Sequence, residues 1–250
     1  VTADIFRTSS GEVGQNGELP PADQLAAVAA QKQVKLVVLS IGGNDLGFAS
    51  IVAACLQAYV TFAAPCQSSQ QAAIDAKFFT GMANVGKAID ESQATMHSAG
   101  YRPSSYRFVL QSYPSTIARG AELRVPEIDR NLEDQHRRLP IYDSDATWAR
   151  NSVVRQISDG LKSVAASRGV QFLDLRDFLQ SREICSTWTR VAGPAASAVG
   201  DDKRLGALPQ PHGRRHPGPA AGDLPPEAYA QRALGNCLGL LYARGPPTRR

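Results

Sequence analysis

The 250-residue sequence contains no Cys-x-x-Cys pair, which excludes zinc ribbons and thioredoxin-like dithiol chemistry. It has no apolar run approaching the ~20 residues that cross a bilayer, so no membrane insertion is expected. Val1-Thr2-Ala3-Asp4 lacks the basic and apolar regions of a signal peptide. Charge of neither sign dominates: 27 basic residues against 23 acidic leave +4. Much of that excess lies near the C-terminus, at Arg214, Arg215, Arg244, Arg249 and Arg250, without interleaved aromatics, so no nucleic-acid partner is expected. No internal repeat is visible. What remains, 43% hydrophobic and 20% charged, describes a soluble globular chain, expected to form a single domain over 1–250.

Four cysteines allow three connectivities, of which Cys55–Cys66 with Cys185–Cys237 is the simplest. Two readings stand side by side: buried free thiols of a cytosolic chain, or disulfides of an exported one.

Lys35–Ile41 is a continuous apolar, β-branched run ended by Gly42-Gly43, the pattern of a strand buried on both faces of a parallel sheet. Tyr106–Ser112 and Val170–Asp174 read as further strands. Ile74, Phe78, Met82, Val85 and Ile89 fall on one helical stripe within about 70–98. Val153, Ile157, Leu161 and Val164 do the same for about 149–168, with Gly169 as the stop. An early helix spans Pro21 to Gln31, and Leu234, Cys237, Leu238 and Leu241 give a last one entered near Glu227. The alternation predicts an α/β sandwich with a mostly parallel sheet.

Two stretches break the pattern. Residues 121–140 hold nine charged residues without an apolar stripe and read as a solvated excursion. Gly206–Pro226 holds six Pro and four Gly, a composition that sustains neither helix nor strand. The whole of 201–226 is anomalous enough to suggest a shifted reading frame, which the coding DNA would decide.

Chemistry concentrates in Ser40-Ile41-Gly42-Gly43-Asn44-Asp45-Leu46-Gly47-Phe48. In open α/β sheets ligands bind at the carboxyl ends of the strands, where this loop falls. Gly43 lets backbone N–H groups approach a substrate, and the Asn44 carboxamide offers a donor that does not titrate; together they suit an oxyanion hole. Asp45 is suited to hold the loop. Gly-Gly-Asn-Asp is equally the chemistry of a tight strand-exit turn.

Gly42-Gly43-Asn44-Asp45 after an apolar strand resembles the G-x-N-D block of the SGNH (GDSL-type) hydrolases, and the longer string resembles their secreted actinobacterial lipase and esterase subgroup. Cys55 with Pro65-Cys66, Gln111-Ser112-Tyr113-Pro114, Tyr142-Asp143-Ser144-Asp145, Phe172-Leu173-Asp174 and Ala228–Cys237 extend the resemblance over most of 1–200 and again over 228–243. It implies a three-layer α/β/α, flavodoxin-like domain, secreted and disulfide-linked, that hydrolyses esters with a serine nucleophile and a histidine base. Asn44 takes the oxyanion-donor position.

The family's Gly-Asp-Ser block does not occur in this sequence, and Val1–Asp4 lines up just after the second family block. The first strand of the fold is therefore expected to be missing, and Ser9 and Ser10 fall in a loop. Pro225 stands where the family places histidine, which leaves His216, in the one His-Pro pair, as candidate base. His212 and His216 are four apart, but in a Pro/Gly-rich loop that spacing builds no metal site. His97 and His136 read as solvated. The candidate site is thus Asn44, Gly43 and His216, with no metal and no cofactor.

The expected function is a secreted lipase or esterase of the SGNH class, truncated or inactive as the chain stands. The alternative is a non-catalytic secreted acyl- or glycan-binding protein on the same fold. The expected partner is a small-molecule ester, lipid or acylated sugar, and the expected state is a monomer.

Overall fold

The structure, a computed structural model, describes residues 2–7, 17–125, 127, 140–183 and 185–188. Ser9, Ser10, His136, His212, His216, Cys237, the anomalous 201–226 stretch and the helix expected after Glu227 lie outside the described residues.

The main elements are α1 (Pro21–Gln31), β1 (Leu36–Leu39), α2 (Phe48–Val60), α3 (Gln67–Ser98), β2 (Arg107–Gln111), α4 (Asp143–Trp148), α5 (Val154–Ser167) and β3 (Gln171–Leu173). The fold is mixed α/β. The strands form one parallel sheet in the order β1-β2-β3, with Leu39 opposite Leu110 and Val109 opposite Gln171. Parallel neighbours require crossovers, which α2 and α3 supply for the first pair and α4 and α5 for the second. The chain divides into two compact units.

The first unit takes in Val1–Ile51, Ser69–Pro114 and Val154–Arg176, and contains the sheet. α1 begins on Pro21, where a missing N–H removes no helix bond. α3 buries Ile74, Met82, Val85 and Ile89, four members of the expected stripe, and α5 buries Ile157 and Leu161. Side chains alternate along a strand, so Phe108 and Leu110 share one face of β2, and both are buried. Leu39 packs with Ile41 against Ile5, Ala22 and Ala88. β1 corrects the expectation of burial on both faces: Leu36 and Val38 are 55% and 50% exposed, and the strand alternates between an exposed and a half-buried side.

The strand exits of β2 and β3 are tied together. The Ser112 hydroxyl, almost wholly buried, donates to Asp174 Oδ1 at 3.0 Å and accepts the Leu175 N–H at 2.7 Å. Ser158 donates to the same Oδ1 at 2.9 Å.

The second unit takes in the described residues of Val52–Ser68, Ser115–Val153 and 177–188. Cys55, Leu56 and Tyr59 of α2 are buried here, and Cys55 forms the expected disulfide with Cys66. The expected partner of Cys185, Cys237, lies outside the described residues. Tyr59 meets Tyr142 edge-on at 5.3 Å between ring centroids, and the Tyr142 hydroxyl donates to the Ala63 carbonyl at 2.6 Å.

Asp145, 1% exposed, accepts the N–H groups of Cys66 and Gln67, each at 3.0 Å. These are donors at the start of α3 that the helix itself leaves without partners. Burial pushes the Asp145 carboxyl above the usual carboxylate range, and Glu127 adds to the rise; the two N–H bonds oppose it.

The helix expected over about 149–168 is present, as a π turn over Ala149–Val153 followed by α5, and α4 runs into it from the N-terminal side. Arg150 on that turn is buried and donates to Asp177 at 2.7 Å and Gln180 at 2.9 Å. In the described start of the 121–140 stretch Ala121 is exposed, Leu123 is buried, and Glu122 accepts the Arg119 backbone N–H at 3.0 Å.

Candidate functional site

The site begins where β1 ends, within the first unit. Gly42 is buried with φ +108°, a backbone region that only glycine enters freely. Its missing side chain also matters: a Cβ there would stand 2.7 Å from Val85 Cγ2 of α3. The chain then makes a 3-10 turn over Asn44–Leu46, closed by Gly47 with φ +78°. Leu46 is driven into the core against Gly81 of α3, where an added Cβ would meet its Cδ2 at 3.0 Å. A buried glycine on one side and an anchored leucine on the other hold Gly43 and Asn44 at the surface, Asn44 exposed and Gly43 half-buried.

The parallel register that sets Leu39 against Leu110 brings Tyr113, at the exit of β2, beside the loop. Gly43 N–H donates to Tyr113 Oη at 3.3 Å. Burial pushes the Tyr113 hydroxyl pKa upward, and the charge of Asp45 adds to this, while hydrogen bonds from Gly43 and Ser40 pull it down. The phenol is therefore neutral at physiological pH.

Of the expected site residues, Gly43 and Asn44 share this loop, and His216 lies outside the described residues. Among the described residues the one histidine is His97, exposed in the last turn of α3 as expected, and its side chain makes no hydrogen bond with a serine. Ser112 is no substitute nucleophile. Its hydroxyl is buried, and its acidic partner Asp174 is held below the ordinary carboxylate range, because hydrogen bonds from Arg176, Ser158 and Ser112 and the Arg176 charge outweigh the upward push of burial. A carboxylate so well satisfied is a weak base.

Cys55, Cys66 and Asp145 cluster their ligand atoms within 4.8 Å, but the two sulfurs are bonded to each other, which removes them as thiolate ligands. Among the described residues the loop carries the Gly43 backbone N–H, engaged by Tyr113, beside an exposed carboxamide, both neutral donors by chemistry.

No family model matches the chain, and no curated protein matches it either. Among solved structures it is similar to an extracellular lipase from Streptomyces rimosus, at 22% identity and a TM-score of 0.40, over 65% of this chain and 58% of that one. It is also similar to phospholipase A1 from Streptomyces albidoflavus, at 19% identity and a TM-score of 0.36, over 72% of this chain and 67% of that one. The chain thus spans 58% of the length of the first of these structures.

Tyr113 is the residue that sequence reasoning missed. It stands in the quoted Gln111-Ser112-Tyr113-Pro114 string, but only the β1–β2 register reveals that this exit faces the glycine pair. A signal was present in principle: in a parallel sheet the polar residues that follow each strand gather at one edge, so neighbouring strands place theirs side by side.

Proposed function

We propose that the chain is an ester-hydrolase scaffold of the SGNH class in which Gly43 and Asn44 form the oxyanion loop and which, as it stands, turns over esters at no more than a trace rate. The observation that carries this reading is the loop itself. Gly42 at φ +108° turns the backbone at the carboxyl end of a parallel strand, so that a glycine N–H and an exposed carboxamide occupy adjacent positions there. Neutral donors fixed at that place suit the charge that develops on an ester carbonyl oxygen.

The chemistry of the parent reaction would be attack on the ester carbonyl by a serine, with the carbonyl oxygen taking the negative charge. A histidine would take the serine's proton and return it to the leaving alcohol, and water would then release the acid. The sequence has no Gly-Asp-Ser block and carries Pro225 at the position matched to the family's histidine, hence the expected trace rate. The Cys55–Cys66 disulfide supports export to an oxidising compartment. The substrate class is a small ester, lipid or acylated sugar, taken by a monomer.

The test is turnover of p-nitrophenyl esters by the purified chain, beside an intact secreted esterase of the same class. A rate within tenfold of the intact enzyme, a barrier difference of about 1.4 kcal/mol, overturns the reading. A second reading, a non-catalytic acyl-binding protein, is favoured by one observation: Gly43 N–H is already engaged by Tyr113. Saturable stabilisation by a fatty acid without turnover would select it.

A further inference from the structure

The ring of Tyr113 lies over Gly43, so that a Cβ on that glycine would meet ring carbons Cε2 and Cζ at 3.4 Å. Its hydroxyl oxygen receives the Gly43 N–H at 3.3 Å. An oxygen atom that receives a backbone N–H at the carboxyl end of a parallel strand, with its ring laid over the same glycine, takes the place a carbonyl oxygen would have in an oxyanion hole. The occupant stays uncharged, because burial and Asp45 keep the phenol protonated.

We propose that the Tyr113 hydroxyl is a built-in occupant of this cradle, filling the place of a ligand's carbonyl oxygen, so that an acyl ligand binds there only by displacing it. The proposal rests on the reading of Gly43 and Asn44 as an oxyanion loop and adds a regulation of that site. It also names a cost. Each hydrogen bond that must be exchanged is worth up to about tenfold in apparent affinity.

The decisive variant is Tyr113→Phe in the full chain, which keeps the ring over Gly43 and removes only the oxygen. Octanoate is the probe, its carboxylate standing in for the oxyanion, with binding followed at the Gly43 amide by NMR. In Y113F the Gly43 amide is expected to exchange with solvent at least about tenfold faster, and octanoate to bind about tenfold tighter, with the Gly43 amide proton moving downfield on binding. Octanoate affinity that is unchanged or weaker in Y113F overturns the proposal and leaves the phenol as a simple tie between two strand exits. Absence of octanoate binding in both chains overturns it as well.

Asn44→Ala in the Y113F background separates the two layers. If it abolishes the gained affinity, the oxyanion loop and its occupant both stand. If it is silent while the Y113F gain persists, the occupant stands and the role given to Asn44 falls. Should Y113F fail to fold, the wild-type chain decides: the Tyr113 ring and Gly43 amide signals must shift along one octanoate isotherm, and a ligand that moves neither overturns the proposal.

Discussion

Gly42→Ala is the most direct perturbation of the loop, and its effect can be worked from two independent terms. The first is conformational. An alanine at φ +108° sits in a region that L residues rarely adopt, at about 1–2 kcal/mol. The second is steric: the new Cβ would stand 2.7 Å from Val85 Cγ2, whose side chain is 0% exposed and has nowhere to retreat. Overpacking of this kind costs about 1–3 kcal/mol. The sum is a loss of about 3 kcal/mol, a large part of the stability of an ordinary domain. Val85→Ala deletes the offending atom and by itself costs about 2 kcal/mol of buried packing. In that background Gly42→Ala should cost only the conformational term. The double-mutant cycle is thus expected to show a favourable coupling of about 1–2 kcal/mol. Urea unfolding of the four proteins, followed by circular dichroism with unchanged m-values, measures it. A Gly42→Ala loss under about 0.5 kcal/mol, or losses that simply add in the double variant, would refute the account of why glycine is needed here.

Three further outcomes are expected. Asp145→Ala strands the Cys66 and Gln67 N–H groups at the start of α3 and should lower stability by about 2–3 kcal/mol, read from the urea midpoint. Replacing Cys55 and Cys66 together by serine opens a ring of sequence separation 11 and should cost about 3 kcal/mol; an unchanged midpoint would mean that the bond contributes nothing in solution. Asp174 gives the pH dependence. Its folded carboxyl lies below the ordinary range, so its contribution is fully present above that range and is lost as pH falls through the folded value. Asp174→Asn should therefore flatten the fall in stability as pH drops below roughly 4, and an identical acid slope in the variant would contradict the assignment.

Much of the fold was legible because its signals are local and periodic. The three predicted strands, 35–41, 106–112 and 170–174, contain the observed Leu36–Leu39, Arg107–Gln111 and Gln171–Leu173. α1 matches its expected span, since a proline at the first turn and a run of alanines leave little ambiguity. α3 starts three residues earlier than the apolar stripe indicates, at Gln67, where the Asp145 carboxylate, distant in sequence, accepts the first N–H groups. No local pattern carries that information. α2 escaped notice because Phe48–Val60 is apolar on nearly every side and offers no stripe against a polar face. The expected double-sided burial of β1 failed for a related reason: a continuous apolar run states what a strand could bury, and the exposed Leu36 and Val38 show what it does bury. At the site, glycine and asparagine were readable from turn chemistry, whereas Tyr113 entered only through strand register.

The Asp145 contact also bears on the order of events during folding. Asp145 accepts the Cys66 N–H, a restraint on that residue's backbone which does not depend on the bond between its sulfur and that of Cys55. Oxidation then needs only a local encounter between the two thiols. A reduced chain should consequently regain its pairing faster with Asp145 present than with alanine in its place, because the search for the partner thiol is shortened before any oxidant acts.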